Sequence, residues 1–525
     1  MKREQFSLAT VTRDYDLMMA RTAASKIKAL LGSRRFYLFI LGFFVFESAW
    51  VAFSAVYPQA FDENFHFGLI KVYSHYGLPF LAHQPVGANA FGAVARDPSY
   101  LYHYLMSFPY RLVAVFTHSQ TAQIIILRLI NVGFFTVGLA LFYRILKRIG
   151  LSAALTNTIL LLFVLIPIIP QLAAQVTYDD LLFPLVAVAC LLTFRVTDQL
   201  RQKQVKARDI LILAAVCLLT SLAKDAFLPI FAGVVLYLAV IAWHSFRGQL
   251  KGLWSNFVKS FTSLNQWTKI GLVGLVIVSA GMFIQRDGLN VIQYHTVNPR
   301  CDVVLTTQQC QAYGVWQHDY NQHQMVVASP SLISSGPVAW VGEWLYWTWY
   351  RLFFAITGSY VNYPPLPLPA AGALLIAVAG GGALIKGRRR LFHNNPYVAF
   401  LILISGLYIV ALMAEGYSTY QYTGVLEFMN GRYLVPVLLL IGALTGQAIS
   451  LVLRKREGYK ALAAVLAIAL FIEGGGFLTF IARSDSTWDW PNSAVVKVNN
   501  AARHVTNHTV VNEGKYYSSH LWFFD

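Results

Sequence analysis

Residues 34–67, RRFYLFILGFFVFESAWVAFSAVYPQAFDENFHF, decide how the chain is read. The stretch opens on two arginines, runs through the mostly apolar residues 37–57 and closes on Asp62, Glu63 and His66. About twenty apolar residues in a helix cross the ~30 Å hydrocarbon core of a bilayer. Arginines before the run and carboxylates after it give the crossing a direction, with its start inside. An acidic pair at a membrane surface costs free energy unless something pairs with it or uses it.

Working outward, comparable runs recur to the end of the 525-residue chain, which is 57% hydrophobic and 12% charged. Soluble domains carry about 25% charged residues, so the chain is an all-α polytopic membrane protein. Its formal charge of +17 does not mark a nucleic-acid binder. Of the 41 Lys and Arg, 28 fall in six segments, 1–36, 144–148, 195–209, 244–269, 386–390 and 453–460, each bordering an apolar run. That is the positive-inside pattern: these segments are expected on the cytoplasmic side, against anionic lipid head groups.

The alternation predicts about eleven transmembrane helices: 37–57, 122–142, 153–170, 181–194, 210–222, 226–243, 270–285, 370–385, 397–413, 432–452 and 460–481. It divides the chain into a cytoplasmic amphipathic N-terminus, 1–36, a transmembrane domain, 37–481, and an external tail, 482–525. Long external loops are expected at 58–121 and 286–369. Residues 105–118 are short, with Pro109 and Arg111, and read as an interfacial helix. The Trp-rich stretch 338–356 reads as another, forming an aromatic belt, because a crossing there would put KGRRR outside. The first apolar run follows some 36 polar, basic residues, so no cleavable signal is expected.

Cys190 and Cys217 lie in apolar spans and read as packing residues. Cys301 and Cys310 share the second external loop, where a disulfide is expected; two unpaired thiols are the alternative.

Placed on this topology, several polar groups share the external face: Asp62, Glu63 and His66, then Asp179 and Asp180, Lys224, Arg432 and Tyr433. Carboxylates serve acid–base or metal chemistry, and the cations serve a phosphate. Plainer readings stand beside each. Asp179 and Asp180 could cap a helix, Lys224 could snorkel, Arg432 and Tyr433 could anchor an interface, and Asp62 and Glu63 could be solvated.

FDENFHF at 61–67, TYDD at 177–180 and Lys224 after a helix end resemble the GT-C superfamily of integral membrane glycosyltransferases. NGRYLVP at 430–436 is similar to a GRY…P segment in one branch of it. The resemblance covers the whole chain in topology and rests on short motifs. It implies a GT-C-like fold, a polyprenyl-phosphate sugar donor, and Asp62 as the base that activates the acceptor hydroxyl. Glu63 would tune or orient that base, Lys224 and Arg432 would hold the leaving phosphate, and the anomeric centre would invert. Other members use a divalent metal at the acidic pair, so one is an open expectation here. The external segments are too short for a large soluble domain, which favours a glycolipid or surface-polysaccharide acceptor. The expected location is the inner or plasma membrane, with the site facing the periplasm or cell exterior. The alternative function is a transporter or flippase of a lipid-linked saccharide.

Overall fold

The computed structural model describes residues 22–59, 62–247, 250–353, 367–454, 456–474 and 488–510. Residues 1–21, the end of the last expected span and the last fifteen residues of the tail lie outside them. Among the described residues the regular structure is helical, apart from one antiparallel bridge between Ala55 and Asp489. The principal helices are α1 (Arg34–Ser54), α2 (Glu63–Ser74), α3 (Leu101–Phe116), α4 (Gln120–Arg148), α5 (Ala153–Val164), α6 (Asp179–Arg201), α7 (Ala207–Ala223) and α8 (Leu228–Phe246). They continue as α9 (Gln266–Phe283), α10 (Gly314–Ala328), α11 (Pro337–Tyr350), α12 (Pro367–Asn394), α13 (Pro396–Thr423), α14 (Val435–Val452), α15 (Glu457–Gly474) and α16 (Ser493–Val510).

Eight helices among the described residues are long and apolar enough to cross a membrane, which makes this an integral multi-pass protein. They correspond to α1, α4, α6, α8, α9, α12, α13 and α14. The other three expected crossings fall on the shorter α5, α7 and α15. The run 153–170 is not one helix: α5 stops at Val164, and a separate turn, Ile168–Ala173, follows Pro167. The crossing expected to end at residue 285 continues to Tyr294. This carries Arg286 onto the carbonyls of Val94 and Pro79, at 2.9 and 3.3 Å.

Local signals explain the helix starts. Ser33, Ser119 and Ser152 each accept a backbone N–H in the first turn of α1, α4 and α5, satisfying a donor that lipid cannot. In the core, Phe183 of α6 stacks on Phe135 and Phe142 of α4, with centroids 4.2 and 4.6 Å apart. Gly138 permits this approach: a Cβ there would lie 2.3 Å from the Phe183 ring. Such close packing, rather than exclusion of water, holds helices together in lipid.

The bundle has two polar ends. At one, Arg148 pairs with Asp198, the Tyr397 hydroxyl donates to Asp198 at 2.5 Å, and Asn157 Nδ2 donates to the Leu31 carbonyl at 2.7 Å. Described residues of two basic segments meet beside it: Asn256 Nδ2 donates to the Lys203 carbonyl at 3.2 Å, and the Ala207 N–H donates to Ser260 Oγ at 3.1 Å. At the other end lie α2, α3, the helices of residues 301–328 and the start of α16, where Trp490 N–H donates to the Ser54 carbonyl at 2.8 Å. Neither α3 nor α11 is among the eight long apolar helices. Within α11, Trp340 and Trp344 are buried and do not face outward as belt residues would, whereas Trp347 and Leu345 are exposed. Trp344 Nε1 donates to the Phe428 carbonyl at 3.1 Å, so these rings support the loop before Arg432.

Candidate functional site

The site is built where the first loop meets the start of α14. Asp62 precedes α2 with φ 67° and ψ 28°, a left-handed conformation that Asp tolerates better than most residues. This backbone turn separates the acidic pair. Asp62 points to the exposed side, whereas the Glu63 side chain is fully buried.

Glu63 is wholly engaged. Arg128 of α4 clasps its two oxygens through Nε and Nη2, both at 2.7 Å. The backbone N–H groups of Gln59 and Val176 donate to the same carboxylate at 2.7 and 3.0 Å. Arg128 Nη1 also donates to the carbonyls of Ala52 and Ala55, at 3.2 and 2.7 Å, satisfying the last turn of α1. Glu63 was expected beside the chemistry; it instead locks α1, α2, α4 and the 174–176 turn together. With both oxygens occupied, it has none to offer a metal, and the acidic pair presents only Asp62.

Opposite Asp62 stand the cations. Arg432 Nη2 donates to Asp62 Oδ2 at 3.0 Å, closing an ion pair across 370 residues of sequence. Lys224 Nζ donates to Asp179 Oδ1 at 2.6 Å, with both side chains buried. Lys224 therefore does not snorkel, and Asp179 does more than favour a helix dipole. The two cations share Tyr433: Lys224 Nζ lies 5.6 Å and Arg432 Cζ 5.1 Å from its ring centroid. Tyr178 covers Lys224 from the other side at 4.3 Å.

The loop that aims Arg432 is held tightly. Asn430 Oδ1 accepts the Arg432 N–H at 3.0 Å, and the Tyr408 hydroxyl donates to the Tyr433 carbonyl at 2.8 Å. Gly431 is required by contact: a Cβ would lie 2.7 Å from the Leu352 side chain and 2.8 Å from its backbone nitrogen.

No protein-family model matches the chain, and no curated protein or solved structure matches it.

The remaining expected residues line the same region from beneath. His66 is buried, its Nδ1 2.9 Å from His103 Nε2, its Nε2 3.5 Å from the Thr177 hydroxyl. Burial, then the neighbouring His103, Arg432 and Lys224, hold His66 well below the ordinary imidazole range. Burial takes His103 down to about 3. The pair is neutral at physiological pH, and His66 supports the site rather than facing a substrate. Asp180 is fully buried beside Asp179 and Glu63, with neither oxygen hydrogen-bonded among the described residues. Cys301 and Cys310 are joined by a disulfide, with Cα atoms 5.9 Å apart.

Arg128 and Tyr178 were missed in the sequence, and His103 reads there as an ordinary loop histidine. Arg128 had a signal: a lone arginine inside the apolar run IIILRLI at 124–130 is expensive unless it has a partner.

A separate apolar cavity of about 520 Å³ lies between α5, α12, α14 and α15. Leu352, Phe353 and Trp349 line it near the Arg432 loop, and Lys28, Leu453 and Lys460 line it near the basic end. None of Asp62, Lys224 or Arg432 lines it.

Proposed function

We propose that this chain is a membrane glycosyltransferase of GT-C type, taking a sugar from a polyprenyl-phosphate donor on the external face of the membrane. One observation carries the reading: Asp62, Arg432 and Lys224, from three distant segments, meet around Tyr433. A base and two cations at one helix-bundle end match the needs of displacement at an anomeric carbon. The leaving phosphate needs fixed positive charge, and a planar guanidinium can bind it in bidentate fashion. The acceptor hydroxyl needs a carboxylate to receive its proton.

The Asp62–Arg432 pair suggests an order of events. The donor phosphate competes for Arg432, and its arrival frees the Asp62 carboxylate for the acceptor. The acceptor oxygen then attacks opposite the phosphate, its proton passes to Asp62, and the C–O bond to phosphate breaks with inversion. The apolar cavity under Leu352 is of a kind that takes a prenyl tail. The acceptor class we favour is a glycolipid or surface polysaccharide.

The test is to incubate purified protein with a panel of polyprenyl-phosphate sugars and measure release of free polyprenyl phosphate. Release with at least one sugar supports the reading; none across the panel, with or without candidate acceptors, overturns it. One observation favours a lipid-linked saccharide transporter instead. Glu47 is buried within α1 with both carboxyl oxygens unpartnered among the described residues, a position suited to proton coupling. Proton-dependent movement of lipid-linked saccharide across vesicles, without bond cleavage, would decide for it.

A further inference from the structure

We propose that His318, Asp319 and Glu427 form a divalent-cation site that ties the disulfide-bonded segment to the loop carrying Arg432. The inference does not depend on the glycosyl-transfer reading.

His318 Nδ1 lies 3.2 Å from Asp319 Oδ1 and 3.4 Å from Glu427 Oε1. One ligand atom from each residue lies within 4.8 Å of the others. Ligands about 2.1 Å from a tetrahedral zinc are separated by about 3.4 Å, so two edges of the coordination figure already have the right length. The third pair of ligand atoms, on Asp319 and Glu427, lies within 4.8 Å.

Charge argues in the same direction. Two carboxylates converge here, and among the described residues His318 is their sole ion-pair partner. Among the described residues no Lys or Arg forms an ion pair with them. A divalent cation removes that repulsion, and a nitrogen–oxygen ligand set suits zinc or manganese.

The framework is held by contacts that the three residues do not make. His323, one and a half turns further along α10, stacks on Tyr422 with centroids 3.9 Å apart. Its Nδ1 lies 3.0 Å from the Tyr422 carbonyl. Arg300 Nη2 donates to the Tyr422 hydroxyl at 2.7 Å. Gly424, with φ 70°, packs so tightly against Val326 that a Cβ would lie 2.8 Å from it. Thus α10 is fixed against the end of α13, just before the loop that presents Glu427. Five residues later the same loop delivers Arg432, and Tyr313, just before α10, lies near both Asp319 and Asp62. A cation at this position would fix the separation between the disulfide-bonded segment and the Asp62–Arg432 pair.

The test uses full-length protein without a polyhistidine tag, stripped with chelator and titrated with Zn²⁺ by calorimetry. Mn²⁺ binding, followed by loss of the free-ion spin-resonance signal, is the second readout. One equivalent is expected to bind, and His318→Ala and Glu427→Gln should each weaken binding about tenfold or more. Half-exposed His318 leaves the fold intact when replaced, which thermal unfolding of each variant checks. Asp62→Asn should leave binding unchanged. No saturable binding, or binding indifferent to both substitutions, overturns the proposal. So does loss of binding in Asp62→Asn alone, which would assign the cation to the acidic pair.

Discussion

Asp62 and Glu63 are neighbours in sequence with opposite fates, because a left-handed backbone at Asp62 turns one side chain out and the next one in. Their substitutions should separate accordingly. Asp62→Asn keeps the size of the side chain and its tolerance of positive φ. The variant is expected to fold, while sugar transfer, read as polyprenyl phosphate release, falls by about 10²-fold or more. Near-normal turnover in a folded variant would move the base elsewhere, with Asp179 and Asp180 next in line. Glu63→Gln should fail differently. It leaves the buried Arg128 guanidinium without its counter-charge, a change that costs about 3–5 kcal/mol. The expected outcome is a lower unfolding temperature and poor yield in detergent. A normally stable Glu63→Gln protein that has lost only turnover would contradict the structural role.

At the scale of elements, α2 and α3 are joined by two imidazoles that must stay neutral. Folding holds His66 below the ordinary value near 6.5 and His103 at about 3. Between those values the unfolded chain takes up protons that the folded pair refuses, so stability is lost as pH falls below about 6.5. At pH 5 this amounts to about 2 kcal/mol for His103, and His66 acts in the same direction. Asp97, whose carboxyl burial lifts to about 6, works in the opposite direction and is present in every variant. The useful measurement is therefore a comparison. Between pH 7.5 and 5, His103→Gln should lose less unfolding temperature than the parent chain. Equal losses would mean that the imidazoles are not held neutral. The loop 424–434 is the other decisive element. It is shaped by contacts from three sides: Val326 on Gly424, Trp344 on Phe428 and Leu352 on Gly431.

Across the whole molecule, the site exists because α1, α6, α7 and α14 bring polar groups to one end of the bundle. Arg432→Lys keeps the charge and loses the planar fork. It is expected to reduce kcat/KM for the donor by about 10- to 100-fold, the worth of a hydrogen bond to a charged group. Because Arg432 touches Asp62, its effect and that of Asp62→Asn should be non-additive by about 1 kcal/mol or more in a double-mutant cycle. Additive effects would mean that the pair does not act as a unit.

The helical membrane class and the position of each apolar run were legible in the residues themselves. Transfer into lipid is a local, nearly additive property of about twenty residues, so RRFYLFILGFFVFESAW reports its own fate wherever it stands. Asp62, Lys224 and Arg432 were legible as charges at the ends of such runs, on the same side by alternation. Which charges touch was not legible. Glu63 could have faced solvent, a metal or Asp62; that it faces Arg128 follows from how α1, α2 and α4 cross. The burial of Trp340 and Trp344 was equally hidden, since an aromatic stripe has the same composition whether it meets head groups or a neighbouring loop. The sequence by itself determined the membrane class, the positions of its apolar runs and the inventory of charges beside them. The tertiary structure alone decided the pairing, because a contact across 370 residues depends on every helix packed between its two partners.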